Sequence, residues 1–204
     1  MGKSVAAWLL MAAATTSTLT PLELVQSATT RVVTILQDPG YAGAINAQKR
    51  RLAIRGTAED LFDFNEMARR SLGKHWKDRS RAERDEFVRV FTDLLERSYI
   101  GVVENYSGEK VAYLGEWFEG GFAIVKTKVA FGATRGADIP IEYRLAQSGH
   151  RWAVYDVVVD GVSFVSNYRS QFERIIATSS YQALVQKMRQ RDTELVFLRR
   201  ARKG

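Results

Sequence analysis

Apolar positions repeat with a helical period through the first half of this chain and with a period of two through much of the second. Val25, Ala28, Val32, Ile35 and Leu36 fall on one helical stripe. Ahead of them, Thr20-Pro21-Leu22-Glu23 supplies an N-cap, a proline at the first helical position and a capping glutamate. Asp38-Pro39-Gly40 ends the stripe. A second helix is predicted over 42–55, with basic residues Lys49, Arg50 and Arg51 clustered on it. A short third helix over 63–71 carries Phe64, Met67 and Ala68, with Leu72 and then a terminating Gly73 after it. The longest stripe follows the capping box Ser80-Arg81-Ala82-Glu83. It runs through Phe87, Val90, Phe91, Leu94, Leu95, Tyr99, Val102, Val103 and Tyr106.

From residue 110 the period is two. Strands are predicted over 110–118, 122–131, 139–145 and 152–159, with Glu119-Gly120-Gly121 closing the first hairpin. Lys126 and Lys128 fall on one face of the second strand, and Val125, Thr127 and Val129 on the other. In the third strand Ile139, Ile141, Tyr143 and Leu145 alternate with Pro140, Glu142 and Arg144. Trp152 to Ile176 then runs an apolar strand through the turn Asp160-Gly161 into an amphipathic helix over 163–178. A last helix is expected over 180–191. Helices first and a short-looped meander later predict an α+β fold. Its expected form is a four-stranded curved antiparallel sheet packed against several helices. The apolar stripes exceed what one face of such a sheet needs, so a lined cavity between sheet and helices is expected.

Composition narrows the classes. At 204 residues the chain suits one domain, and 46% hydrophobic content is ordinary for a soluble protein. The start differs: Lys3, an apolar run from Val5 to Ala14, then small residues. That run is far short of the ~20 residues of a membrane span, and it matches a secretory signal peptide over about residues 1–19. Residues 20–192 then form the domain and 193–204 a basic tail. Cysteine is absent, so the exported chain needs no disulfide. The net charge is +7; losing Lys3 leaves +6, and tail residues Arg199, Arg200, Arg202 and Lys203 account for all but +2 of that. A nucleic-acid partner is disfavoured, because the basic charge belongs to the tail rather than to the body.

Catalytic chemistry finds little support. His75 and His150 lie far apart without metal-ligand spacing, and neither a Gly-x-Ser-x-Gly elbow nor a phosphate loop occurs. Asp156 and Asp160 are the remaining candidates for a general acid or base in a pocket. Their alternative roles are an exposed strand residue and a turn residue. Arg169 is placed either to meet a phosphate at a pocket mouth or to form an ordinary ion pair.

Three blocks resemble the periplasmic phospholipid-binding proteins of the MlaC, or toluene-tolerance, type. Phe62-Asp63-Phe64 with Met67-Ala68, Leu72-Gly73 and Trp76 is similar to a first signature. Ser80, Glu83, Phe87, Phe91, Leu94-Leu95 and Tyr99 follow the family's long helix. Val154-Tyr155-Asp156-Val157, Gly161-Val162-Ser163, Asn167-Tyr168-Arg169 and Phe172 resemble its C-terminal signature. The resemblance spans about residues 25–191. It implies a sheet like the nuclear transport factor two cone, and a non-enzymatic periplasmic carrier without a cofactor. The carrier's ligand would be a diacyl phospholipid, with tails inside and headgroup outside. Its partners would be an inner-membrane ABC transporter complex and an outer-membrane lipoprotein and porin complex, with outer-membrane lipid asymmetry as the outcome. On this reading Val125, Thr127, Val129, Ile141, Tyr143, Tyr155 and Val157 line the tail cavity. Val162, Phe164, Tyr168 and Phe172 close one side, and Arg169 is the candidate headgroup contact. The chain is expected to be a monomer. The rivals are a pocket enzyme using Asp156 or Asp160, and an adaptor of a membrane complex that binds no lipid.

Overall fold

A computed structural model describes residues 19–130, 138–149 and 151–190. The expected leader up to residue 18, the expected tail over 193–204 and His150 lie outside the described residues. Among the described residues six α-helices occur, α1 (Pro21–Gln37), α2 (Ala47–Leu61), α3 (Phe64–Leu72), α4 (Arg81–Glu104), α5 (Phe164–Thr178) and α6 (Tyr181–Gln190). The strands are β1 (Lys110–Glu119), β2 (Phe122–Ala130), β3 (Ile139–Ser148), β4 (Arg151–Val159) and β5 (Val162–Ser163), in sheet order β1-β2-β3-β4-β5. All four pairings are antiparallel, so the fold is α+β as expected. The two-residue β5 is a fifth strand beyond the four expected. It forms because the Asp160-Gly161 turn folds Val162 back onto Val159.

Both capping boxes are present. Thr20 and Ser80 each accept from the backbone N–H of the glutamate three residues on, and that glutamate accepts from the cap backbone. The second helix starts later than the pattern predicts, at Ala47. Residues Pro39–Tyr41 and Ala44–Asn46 form separate 3-10 turns, with Gly43 at φ 76° between them. A positive φ in that segment favours glycine and interrupts a continuous helix.

Two cores result. One lies among helices α3 to α6, where Phe87 and Phe91 of α4 meet Tyr168 and Phe172 of α5 edge-on at 5.4–6.1 Å. The other lies between α1, the end of α2 and one sheet face. It contains Val25, Ala28, Leu61, Ala123, Val125, Leu145, Val154 and Val157. Phe62 packs against both cores. The next residue, Asp63, donates its backbone N–H to Val154 O at 2.9 Å and so pins the α2–α3 junction to the sheet. At the other end of α1, Glu116 of β1 accepts from Leu22 N at 2.8 Å. Helix α2 is tied to α4 by ion pairs: Arg50 to Glu104 at 2.8 Å and Arg55 to Glu96 at 3.0 Å.

Candidate functional site

The register fixes which side chains share the face under α1. Tyr113, Thr127 and Ile141 lie in one row across β1, β2 and β3, and Val125, Tyr143 and Val157 lie in the next across β2, β3 and β4. Toward Ala123, Leu145 and Val154 this face is closed by Val25 and Ala28. Toward the start of β1 it is not. Val111, Val129, Ile139, Ile141 and Val159 keep partial exposure there. So do Val32, Ile35 and Leu36, which continue the stripe of Val25 and Ala28 along α1, and Val103 and Tyr106 at the end of α4. Apolar side chains from two helices and four strands thus gather at one end of the sheet and keep partial exposure. This partly exposed apolar end of the sheet, continuous with the packed core at the hairpin end, is the candidate cleft.

Tyr143 marks its depth. Burial pushes its phenol up to about 12, and the nearby Tyr113 adds to the effect. The side chain nevertheless retains accessible surface. Phe164 forms a side wall, stacked on Tyr99 at 5.0 Å and packed against the sheet core. Burial raises the Tyr99 phenol as well.

Of the residues assigned from sequence, Val125, Thr127, Val129, Ile141, Tyr143, Val157 and Phe164 come together on this face. Val125 and Thr127 are deep, at 0% and 1% exposure, and Thr127 Oγ1 donates to Ile141 O at 3.3 Å. Four assignments are corrected in placement. Tyr155 lies on the opposite face, because the register slips between Arg144 and Leu145 and the extra residue of β4 reverses the alternation. Its ring meets Phe122 at 5.9 Å, and the Arg70 guanidinium lies 4.0 Å above it. Tyr168 and Phe172 are 1% exposed inside the helical core, not on the cleft wall. Val162 is 39% exposed at the rim. Arg169 lies elsewhere on α5. It sits about 140° around α5 from Phe164, its Cδ lies 3.2 Å from where a Cβ on Gly73 would sit, and Nη2 reaches only Ser166 Oγ at 3.4 Å.

Sequence reasoning omitted Tyr113, Val111, Val159, Tyr99 and the far end of the α1 stripe. The signal was present for α1: its apolar stripe extends two turns past Ala28, more than the closed part of the core uses.

Asp156 is fully engaged. Its Oδ1 accepts from Val165 N at 3.0 Å, and its Oδ2 accepts from Ser163 Oγ at 2.6 Å and faces Arg144 at 3.5 Å. The carboxylate therefore holds the N-terminus of α5 against β4. Asp160 is the turn residue, at φ 49°. His75 pairs with Glu173 at 2.9 Å, an ordinary structural contact. Among the described residues no cluster of three potential metal ligands occurs, and no helix is long and apolar enough to cross a membrane. A 320 Å³ depression exists on the other side of the sheet, lined by Asp63, Glu66, Arg70, Phe122 and Tyr155. Its charged rim makes it a poor host for an acyl chain.

The model of the family described as MlaC protein matches residues 26–190. The chain belongs to the MlaC family. A relative in Haemophilus influenzae, the intermembrane phospholipid transport system binding protein MlaC, is 26% identical over 160 residues. These residues cover 76% of this chain and 71% of the relative. The structure of a phospholipid-binding protein from Ralstonia solanacearum, determined with a phospholipid, superimposes with a TM-score of 0.75 at 25% identity. The match covers 87% of this chain and 99% of that one. The MlaC-family fold therefore extends over nearly all the described residues.

Proposed function

We propose that this chain is a periplasmic phospholipid carrier. It takes a diacyl glycerophospholipid with the tails in the cleft beneath α1 and the headgroup at the open end. It moves the lipid between outer-membrane and inner-membrane ABC transporter complexes and so helps maintain outer-membrane lipid asymmetry. The observation that carries this reading is the partly exposed apolar face beneath α1, where Val111, Val129, Ile139, Ile141 and Tyr143 line up beside the α1 stripe beyond Ala28. The relatives add support, one a phospholipid transport binding protein and the other solved with a phospholipid.

The energetics favour carriage without catalysis. Burying a methylene is worth about 0.8 kcal/mol against water, so two tails with about 28 methylenes gain on the order of 22 kcal/mol. Such a lipid does not escape into water. Exchange with another apolar site is close to balanced, so contact with a partner is enough to set direction. The carrier needs no cofactor and acts as a monomer, and Asp156 is committed to holding α5 rather than to acid–base work.

Native mass spectrometry of the freshly purified chain tests this. The expected result is a co-purified phospholipid, lost or reduced at least about tenfold in Val129→Glu, whose charge would face the cleft. A wild-type chain free of lipid, or a folded Val129→Glu chain carrying the wild-type amount, would rule the assignment out.

A further inference from the structure

At the open end of the cleft the chain presents an unusual outer surface. Ile45 is 94% exposed and Leu52 60% exposed. Leu52 lies on the side of α2 opposite the buried Ile54, Thr57 and Leu61, and Ile45 lies in the 3-10 turn just before that helix. Lys49 lies between them, exposed, its ammonium 4.5 Å over the Tyr41 ring. Between Asp38 and Glu59 the chain carries Lys49, Arg50, Arg51 and Arg55 and no carboxylate. Arg50 and Arg55 turn toward α4 and its glutamates, whereas Arg51 stays half exposed at the edge of Glu104. The net effect is an outward face of two aliphatic side chains set among cations.

Position ties this face to the cleft. Arg50 donates to Tyr41 O at 2.8 Å and binds Glu104, joining the loop after α1, the first turn of α2 and the last turn of α4. These are the elements that border the open end.

We propose that this face docks the protein on a bilayer containing anionic phospholipid, with Ile45 and Leu52 entering the interface and Lys49 and Arg51 meeting phosphates. On such a surface, burial of exposed apolar side chains in the interface and attraction of neighbouring cations to anionic lipid add together. A protein partner is the poorer fit. Protein hot spots centre on aromatic or arginine anchors in desolvated pockets, and the prominent depressions lie elsewhere, around Asp63. The purpose of docking rests on the carrier reading, since it would bring the open end of the cleft against a lipid source. The docking itself is measured independently.

The test is flotation of the mature chain with phosphatidylglycerol–phosphatidylethanolamine vesicles and with phosphatidylcholine vesicles. Wild type is expected to float with the anionic vesicles, less at high salt, and to bind phosphatidylcholine at least several-fold more weakly. Ile45→Asp and Leu52→Glu, both at exposed positions, are expected to weaken binding at least about tenfold each. Phe118→Ser, on the exposed far hairpin, is expected to float like wild type. Failure of wild type to bind anionic vesicles would overturn the proposal and leave a protein partner for this face. Equal binding to both vesicle types, or undiminished binding by Ile45→Asp, would overturn it too. Lipid content measured by native mass spectrometry separates the two readings. A chain that floats through Ile45 but never carries lipid would sink the carrier assignment and leave the docking face standing.

Discussion

At the scale of single residues, the tyrosines report on the two cores. Burial pushes the Tyr143 phenol, at the cleft floor, and the Tyr181 phenol, in the helical core, up to about 12. Tyr168 is driven higher still, by burial and by the neighbouring Tyr99. An unfolded tyrosine titrates near 10. Between pH 10 and 12 the unfolded chain therefore releases protons that the native chain keeps, and stability falls as pH rises. Each phenol held at about 12 contributes up to about 2–3 kcal/mol, fully present below pH 10 and lost by pH 12. Phenolate absorbance should show Tyr143 among the late-titrating members of the eight tyrosines, and Tyr143→Phe should remove one late phenol and flatten the alkaline loss of urea stability. An ordinary titration of Tyr143 near 10 would contradict a recessed cleft. Residue identity alone made Tyr143 legible as inward-facing, because the alternation from Ile139 to Leu145 is unbroken. Tyr155 was misplaced because a bulge leaves no mark in an apolar run such as Trp152 to Val159. Its apolar residues tolerate either face, so the slip opposite Arg144 is set by neighbouring strands rather than by local preference.

At the scale of elements, helix ends were the most legible features. Thr20 and Ser80 cap because a hydroxyl before a helix and a glutamate three residues later satisfy backbone donors that nothing else reaches. The start of α5 uses a different device, and the sequence conceals it. Ser163 caps Ser166 N, while Asp156, from the adjacent strand, accepts from Val165 N and Ser163 Oγ. Asp156 is 3% exposed, so an amide there would aim a donor at another donor with no water to help. Asp156→Asn is expected to lower stability by about 2 kcal/mol, read as a lower urea midpoint, while the folded fraction retains wild-type lipid content. Unchanged stability together with lost lipid transfer would return Asp156 to the list of functional groups.

At the scale of the whole molecule, the surplus of apolar helix surface implied a lined space, and the structure divides that surplus unequally. Helices α3 to α6 consume their own stripes in one another, burying Phe87, Phe91, Tyr168 and Phe172 completely or nearly so. For the sheet face beneath α1, there remain α1, the end of α2 and the rim of α4 and α5. Sequence could not assign these partners, because an apolar stripe is satisfied by any apolar neighbour and its periodicity does not say which. The division makes a prediction about where a ligand acts. A lipid that fills the cleft adds contacts to Val129, Ile141, Tyr143 and the α1 stripe beyond Ala28, and adds few to the helical core. Binding stabilises the native state by about 2.7 kcal/mol at a free ligand concentration one hundred times its dissociation constant. The gain should appear where local opening exposes the site. Hydrogen exchange of lipid-loaded and delipidated protein should therefore differ most in β1 to β3 near residues 111–113, 127–129 and 139–143, and in α1 after residue 29. Amides of α4 near Phe87 and Phe91 should change least, provided opening stays local. If protection instead rises mainly in α4 and α5, the ligand sits among the helices and the cleft beneath α1 is not its site.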